Sequence, residues 1–96
     1  MPHWAKATDR NQGEIIWHLI AAGWEVLDLS KAGWGVLDLI ARKRGLSIWV
    51  ECKMPGETLT QRESKFYAVA PGDKVIAFSG MDAVTQCELI LRGRGL

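Results

Sequence analysis

Two apolar segments in the middle of the chain flank a basic turn, and together they predict a β-hairpin. The first covers residues 35–42, the second covers 46–53, and both are rich in residues that favour strands. The turn is centred between Arg44 and Gly45. A turn this short fixes the register, so residues at equal distances from it lie opposite one another.

This register places charged side chains inside an otherwise apolar hairpin. Asp38 and Glu51 are equidistant from the turn, so they should lie opposite each other, and Lys53 should share the face of Glu51. Opposed carboxylates repel, and burying them is costly. A divalent cation offsets both effects, and Mg²⁺ and Mn²⁺ prefer oxygen ligands. The pattern therefore indicates a metal site beside a lysine; the alternative is that these are ordinary solvent-facing residues.

The elements around the hairpin predict the fold class. Further apolar patterns predict, in chain order, helix 9–22, strand 25–30, helix 60–70, strand 74–78 and helix 81–92. Asp9 and Thr60 are the expected N-caps. With the hairpin, this gives an α+β fold with a mixed sheet, and 96 residues are enough for one domain over 1–96.

Composition excludes several classes of protein. No apolar run approaches the roughly 18 residues that span a bilayer, and the first residues contain no apolar stretch of signal-peptide length. Cys52 and Cys87 are too few for a disulfide scaffold. We therefore expect no membrane association and a reducing, cytoplasmic location. The net charge of +1 is low for a protein that binds nucleic acid.

The hairpin and its flanking segments resemble a known enzyme superfamily. They resemble the PD-(D/E)xK nucleases and, more closely, the small virus-type replication-repair nucleases (VRR-NUC) of phages and bacteria. The resemblance rests on GVLDLIA at 35–41, WVECK at 49–53, DRNQGE at 9–14, the Leu-Thr pair at 59–60 and the aromatic Phe66. It extends over residues 9–78, most of the chain.

This resemblance implies a restriction-endonuclease-like αβββαβ core and metal-dependent hydrolysis of DNA phosphodiester bonds. Asp38, Glu51 and the backbone carbonyl of Cys52 would hold Mg²⁺ or Mn²⁺. Lys53 would position the attacking water and stabilise the transition state, and Glu14 would help to hold a metal from the first helix.

The resemblance also implies a substrate and an assembly. Stand-alone members of the family resemble Holliday junction resolvases, so we expect branched DNA, above all a four-way junction, as the partner. We expect a homodimer in the cytoplasm of a bacterium or a phage-infected host cell. The alternatives are a flap or nicking nuclease and a non-catalytic DNA-binding module on the same fold.

Two positions depart from the family pattern. Leu37 stands where the family often has proline before Asp38, and Glu63 stands where it has glutamine, with Gln61 two residues earlier. Either Glu63 or Gln61 is thus the secondary site residue. Four basic residues are expected to flank the site and contact phosphates without reading sequence: Arg10, Lys31, Arg62 and Lys65.

The charge balance looks different once these acids are grouped. Four of the 11 acidic residues are assigned to one site: Glu14, Asp38, Glu51 and Glu63. The remaining 7 acidic residues are outnumbered by the 12 basic residues, so we expect an acidic pocket surrounded by a basic surface. The low net charge therefore does not exclude DNA as the partner.

Asp28 is a further candidate in the first strand. If the first two predicted strands pair about a turn centred on Gly33, Asp28 lies opposite Asp38, either as a further metal ligand or as a structural residue.

Overall fold

The computed structural model describes residues 11–31 and 37–96. In chain order, the described residues form α1 (Gln12–Ala21), β1 (Glu25–Asp28), β2 (Leu39–Lys43), β3 (Leu46–Cys52), α2 (Gln61–Val69), β4 (Asp73–Ala77) and α3 (Gly80–Gly93). The strands form one sheet in the order β1-β2-β3-β4, in which only the β3–β4 pair is parallel. The chain is thus a small α+β domain with a mixed sheet, as its sequence pattern predicts.

The hairpin of β2 and β3 has the predicted register. Leu39 pairs with Val50, and the pairing continues to the two-residue turn. Both turn residues have positive φ, 51° at Arg44 and 80° at Gly45. Turns of the type I′ class require this combination, whose twist matches that of the flanking strands.

The register between β1 and β2 differs by one residue from the expected one. Asp28 pairs with Leu39 rather than with Asp38. Instead, the N–H of Leu29 donates to the carbonyl of Asp38 at 2.7 Å. The connection between these strands is longer than a tight turn, so the sequence around it does not fix the register.

The two faces of the sheet are covered differently. Helices α1 and α3 pack against each other and against one face, forming a core that includes Ile15, Leu19, Ile48, Val50, Cys52, Val75, Cys87 and Leu91. On the other face, Phe66 of α2 packs edge-on against Trp49 of β3, with ring centroids 5.1 Å apart. Because side chains alternate along a strand, Glu51 and Lys53 project to the α2 side with Trp49.

Some element boundaries differ from the expected ones. The expected N-cap Asp9 lies outside the described residues, and α1 begins at Gln12. Residues 32–36 also lie outside them, so the expected strand start at Gly35 is not described; the described strand begins at Leu39. In the described ranges, no helix has the length and apolar character needed to cross a membrane.

Candidate active site

The end of the hairpin joins each of the two opposed carboxylates to the backbone of the opposite strand. Asp38 Oδ2 accepts a hydrogen bond from the N–H of Cys52 at 3.0 Å. Glu51 Oε1 accepts one from the N–H of Asp38 at 3.2 Å. Lys53 Nζ lies 3.4 Å from Glu51 Oε2. The three side chains singled out by the turn register therefore form one cluster.

This cluster is buried, and burial sets its protonation. Glu51 is fully buried and Lys53 nearly so. Burial raises the pKa of Asp38 above its ordinary value. Burial, the hydrogen bond with Glu63 and the charge of Asp38 together raise the pKa of Glu51 to about 9. Glu51 is thus protonated at neutral pH when no cation is bound, because the site cannot carry several negative charges unaided.

Glu63 joins the cluster from the first turn of α2. Thr60 caps this helix as predicted: its hydroxyl accepts from the Glu63 N–H, and Glu63 Oε1 accepts from the Thr60 N–H at 2.7 Å. The same oxygen lies 2.9 Å from Lys53 Nζ. Burial opposes ionisation of Glu63, but hydrogen bonds from Glu51, Thr60 and Lys53 lower its pKa to about 2. Gln61 is exposed at the start of α2, so Glu63 is the one that contacts Lys53.

Glu14 lies at the start of α3. Its Oε2 accepts a hydrogen bond from the N–H of Gly80 at 2.6 Å, at the first residue of α3. A carboxylate there satisfies a free N–H and interacts favourably with the helix dipole. The described structure shows no contact between Glu14 and Asp38 or Glu51. The described residues thus place Glu14 at the start of α3, whose N-cap is Ser79, and the expectation that Glu14 helps to hold a metal stays a prediction.

Two other residues, at the start of α1, approach the strand ends, and their spacing in the sequence does not point to the site. Asn11 Nδ2 donates to the carbonyls of Lys53 and Phe78, at 2.9 and 3.0 Å. It thereby links the residues that follow the parallel strands β3 and β4. Gln12 is only 4% exposed, and its Nε2 donates to Asp28 Oδ1 at 3.1 Å. The sequence signal for Gln12 is its place at the start of the buried side of α1, which continues with Ile15 and Leu19.

The amide oxygens of these two residues are buried acceptors. Asn11 directs its amide nitrogen at carbonyls and Gln12 directs its own at a carboxylate, so neither amide can be flipped without loss. Asn11 Oδ1 and Gln12 Oε1 have no hydrogen-bond donor among the described residues. Buried acceptors normally have a donor or bind a cation or its water.

The donor set limits how a metal could be held. Within residues 11–31 and 37–96, no three His, Cys, Asp or Glu side chains are arranged as a metal site. A cation at Asp38 and Glu51 would therefore need backbone or amide oxygens, or water, to complete its coordination. Such mixed shells are usual for Mg²⁺, which keeps several waters.

The basic residues expected to contact DNA are placed unequally. Arg10 lies outside the described residues. Lys31 is exposed in the turn after β1. Arg62 and Lys65 are exposed on α2, the helix that carries Glu63 into the cluster. Arg62 and Lys65 therefore lie on the same helix as Glu63, a residue of the candidate site.

Comparisons with known proteins leave the function to be argued from this geometry. No family model matches the chain, and neither a curated protein nor a solved structure is found to be similar to it. The likeness to the virus-type replication-repair nucleases accordingly stays a prediction made from the residues.

Proposed function

We propose that the chain is a divalent-metal-dependent endonuclease that hydrolyses phosphodiester bonds in branched DNA. The observation that carries the proposal is the fully buried Glu51, opposed to Asp38 and followed by Lys53 at 3.4 Å. Burying these ionisable groups costs several kcal/mol for each one that stays charged, and without a cation the cluster avoids part of that cost only by keeping Glu51 protonated. A structural role would be served at less cost by apolar residues, so the cluster favours a chemical one.

The cluster has the chemistry to hold Mg²⁺ or Mn²⁺. Asp38, Glu51 and the backbone carbonyl of Cys52 would supply the oxygen ligands. Glu51 Oε2 is buried and lies 3.4 Å from Lys53 Nζ, so in the ionised form its charge is balanced only in part by an ammonium group that Glu63 shares. A bound cation would supply Lewis-acid polarisation of the phosphate and lower the pKa of a coordinated water.

Lys53 and Glu63 have distinct tasks in this proposal. Lys53 Nζ lies between the carboxylates of Glu51 and Glu63, at 3.4 and 2.9 Å. From there it orients the attacking water and stabilises negative charge that develops on the phosphate. Glu63 remains ionised and holds the ammonium group in place. Its second bond, to the Thr60 N–H, fixes this carboxylate to the start of α2.

The substrate and assembly are part of the same proposal. A four-way junction presents two equivalent strands, which a two-fold symmetric homodimer would cut in pairs. Arg62 and Lys65 on α2 would contact phosphates beside the cut and position the strand. A nuclease that cuts one strand of a flap is the second candidate, because the same cluster in a monomer would make single incisions.

The test is cleavage of labelled four-way junctions, flaps, nicked and linear duplexes with Mg²⁺ or Mn²⁺. Asp38→Asn and Lys53→Met should each abolish cleavage, whereas Glu14→Gln, a carboxylate change on α1 outside the cluster, should retain it. Paired symmetric incisions in junctions would support a resolvase, and single incisions in flaps would support the second candidate. No cleavage of any branched substrate, or equal cleavage by Asp38→Asn, would overturn the nuclease proposal.

A further inference from the structure

Helix α2 presents a stripe of basic and apolar side chains to solvent. Arg62, Lys65, Phe66 and Val69 are spaced to lie on one side of the helix, and they line an open groove of about 490 Å³. Val69 is 78% exposed, and no residue of α2 is fully buried. A contiguous exposed patch of this kind commonly marks a binding surface. We call these four residues the α2 stripe.

The α2 stripe adjoins the candidate active site. Glu63, the neighbour of Arg62, contacts Lys53 Nζ at 2.9 Å. Phe66 packs edge-on against Trp49, and Trp49 lies two residues before Glu51 on the same face of β3. A nucleic-acid strand with one phosphate at the cluster can therefore continue directly along α2.

The charges of the α2 stripe call for an anion. Neither Arg62 nor Lys65 forms an ion pair with a described residue, since the four such pairs involve other cations. The nearest acid on the helix, Glu63, is already bound by Lys53 and the Thr60 N–H. The two cations thus complement phosphate rather than a carboxylate of this chain.

The apolar part of the α2 stripe distinguishes between forms of nucleic acid. In a duplex the faces of the bases are stacked inside, so it offers phosphates but no apolar plane to Phe66 and Val69. In a single strand the bases are free to stack on an aromatic ring while the phosphates follow a basic groove. The combination of ring, methyl groups and cations therefore fits a single strand better than a duplex.

We propose that the α2 stripe binds unpaired DNA nucleotides next to the phosphate that enters the cluster. Their bases lie on Phe66 and Val69, and their phosphates lie at Arg62 and Lys65. This proposal rests on the proposed nuclease function, which places a DNA phosphate at the cluster, and it deepens that function. It makes DNA with unpaired bases beside the cut, as at a junction centre or a flap, the preferred substrate.

The test is the affinity of fluorescent oligothymidylate, of about ten nucleotides, measured by anisotropy against a duplex of equal length. Asp38→Asn is the background, so that no cleavage interferes. The single strand should bind more tightly than the duplex. Val69→Gln and Phe66→Leu should each weaken single-strand binding about five-fold or more, and Arg62→Gln with Lys65→Gln should reduce its dependence on salt.

Leu27→Gln is the matched control, because Leu27 is a comparably exposed apolar residue, 57% accessible, on β1. It should leave the affinity unchanged. Equal binding of single strand and duplex, or equal effects of Val69→Gln and Leu27→Gln, would overturn the inference. So would a change in sedimentation rather than DNA affinity, because the groove would then bind a second copy. The readout is binding alone, so failure of the nuclease proposal shows separately, as absent cleavage by the unsubstituted chain.

Discussion

At the residue scale, the protonation of Glu51 links the site to the stability of the domain. The ordinary pKa of Glu51 is 4.5 and its pKa in the folded chain is about 9. Between these values the folded protein holds a proton that the unfolded chain has released, so the free energy of unfolding falls as pH rises. The raised pKa of Asp38 acts in the same direction.

This predicts the effect of Glu51→Gln on thermal unfolding in the presence of a chelator. The parent chain should lose more than about 1 kcal/mol between pH 5 and pH 9, since one pKa unit is worth about 1.4 kcal/mol. Glu51→Gln should show a flatter profile, because its amide does not titrate. Glu63 does not confuse the comparison, because its lowered pKa affects stability only below pH 4.5. Parallel profiles for the two proteins would contradict the assignment of Glu51.

Gln12 provides a second prediction at this scale. Its Oε1 is a buried acceptor without a described donor, and its Nε2 binds Asp28. In Gln12→Leu the loss of that hydrogen bond is offset by removal of the unsatisfied acceptor, so stability without metal should change by less than about 1 kcal/mol. Affinity for Mn²⁺ should fall several-fold if the oxygen serves the cation or its water. A large loss of stability with unchanged affinity would show a purely structural role.

At the element scale, the hairpin turn determines where the catalytic candidates lie. Arg44 has φ of 51°, a conformation that side chains other than Gly, Asn and Asp rarely adopt. With Gly45 it forms a turn that fixes the opposition of Asp38 and Glu51. The stability of the turn therefore supports the geometry of the site.

Arg44→Asn should stabilise the domain, because Asn-Gly is a preferred pair for this turn. The expected gain is about 0.5–1 kcal/mol, which would raise the melting temperature by roughly 2–8 °C. Gly45→Ala is the converse variant and should lower it, because its φ of 80° is unfavourable for alanine. Differential scanning calorimetry measures both. A lower melting temperature for Arg44→Asn would contradict the turn geometry.

The same turn explains how much of the site could be predicted from the sequence. A two-residue turn fixes the pairing, so the positions of Asp38 and Glu51 followed from their distances to it. Asp28 could not be placed in this way, because a longer connection separates its strand from β2. Gln12 and Glu14 are two residues apart on a short helix, so they point in different directions. Which of them approaches the sheet depends on how α1 packs against α3. That packing is a tertiary property, and no local spacing encodes it.

At the scale of the whole molecule, the distribution of charge is more informative than its sum. The chain has 12 basic and 11 acidic residues. Three acids lie in or contact the buried cluster, namely Asp38, Glu51 and Glu63. Setting them aside leaves 12 basic and 8 acidic residues, because Glu14 is engaged at α3 instead. This balance supports only modest DNA affinity per copy, which is consistent with the proposed homodimer sharing one branched substrate.

The most direct test of a metal site at Asp38 and Glu51 is calorimetric titration of Mn²⁺ into the chain at pH 7, in buffers of different ionisation enthalpy. Because Glu51 is protonated before the cation binds, we expect saturable binding with release of about one proton per ion. Glu51→Gln should bind far more weakly and release no proton. Absence of saturable binding by the parent chain, or equal binding by Glu51→Gln, would contradict a metal site at Asp38 and Glu51.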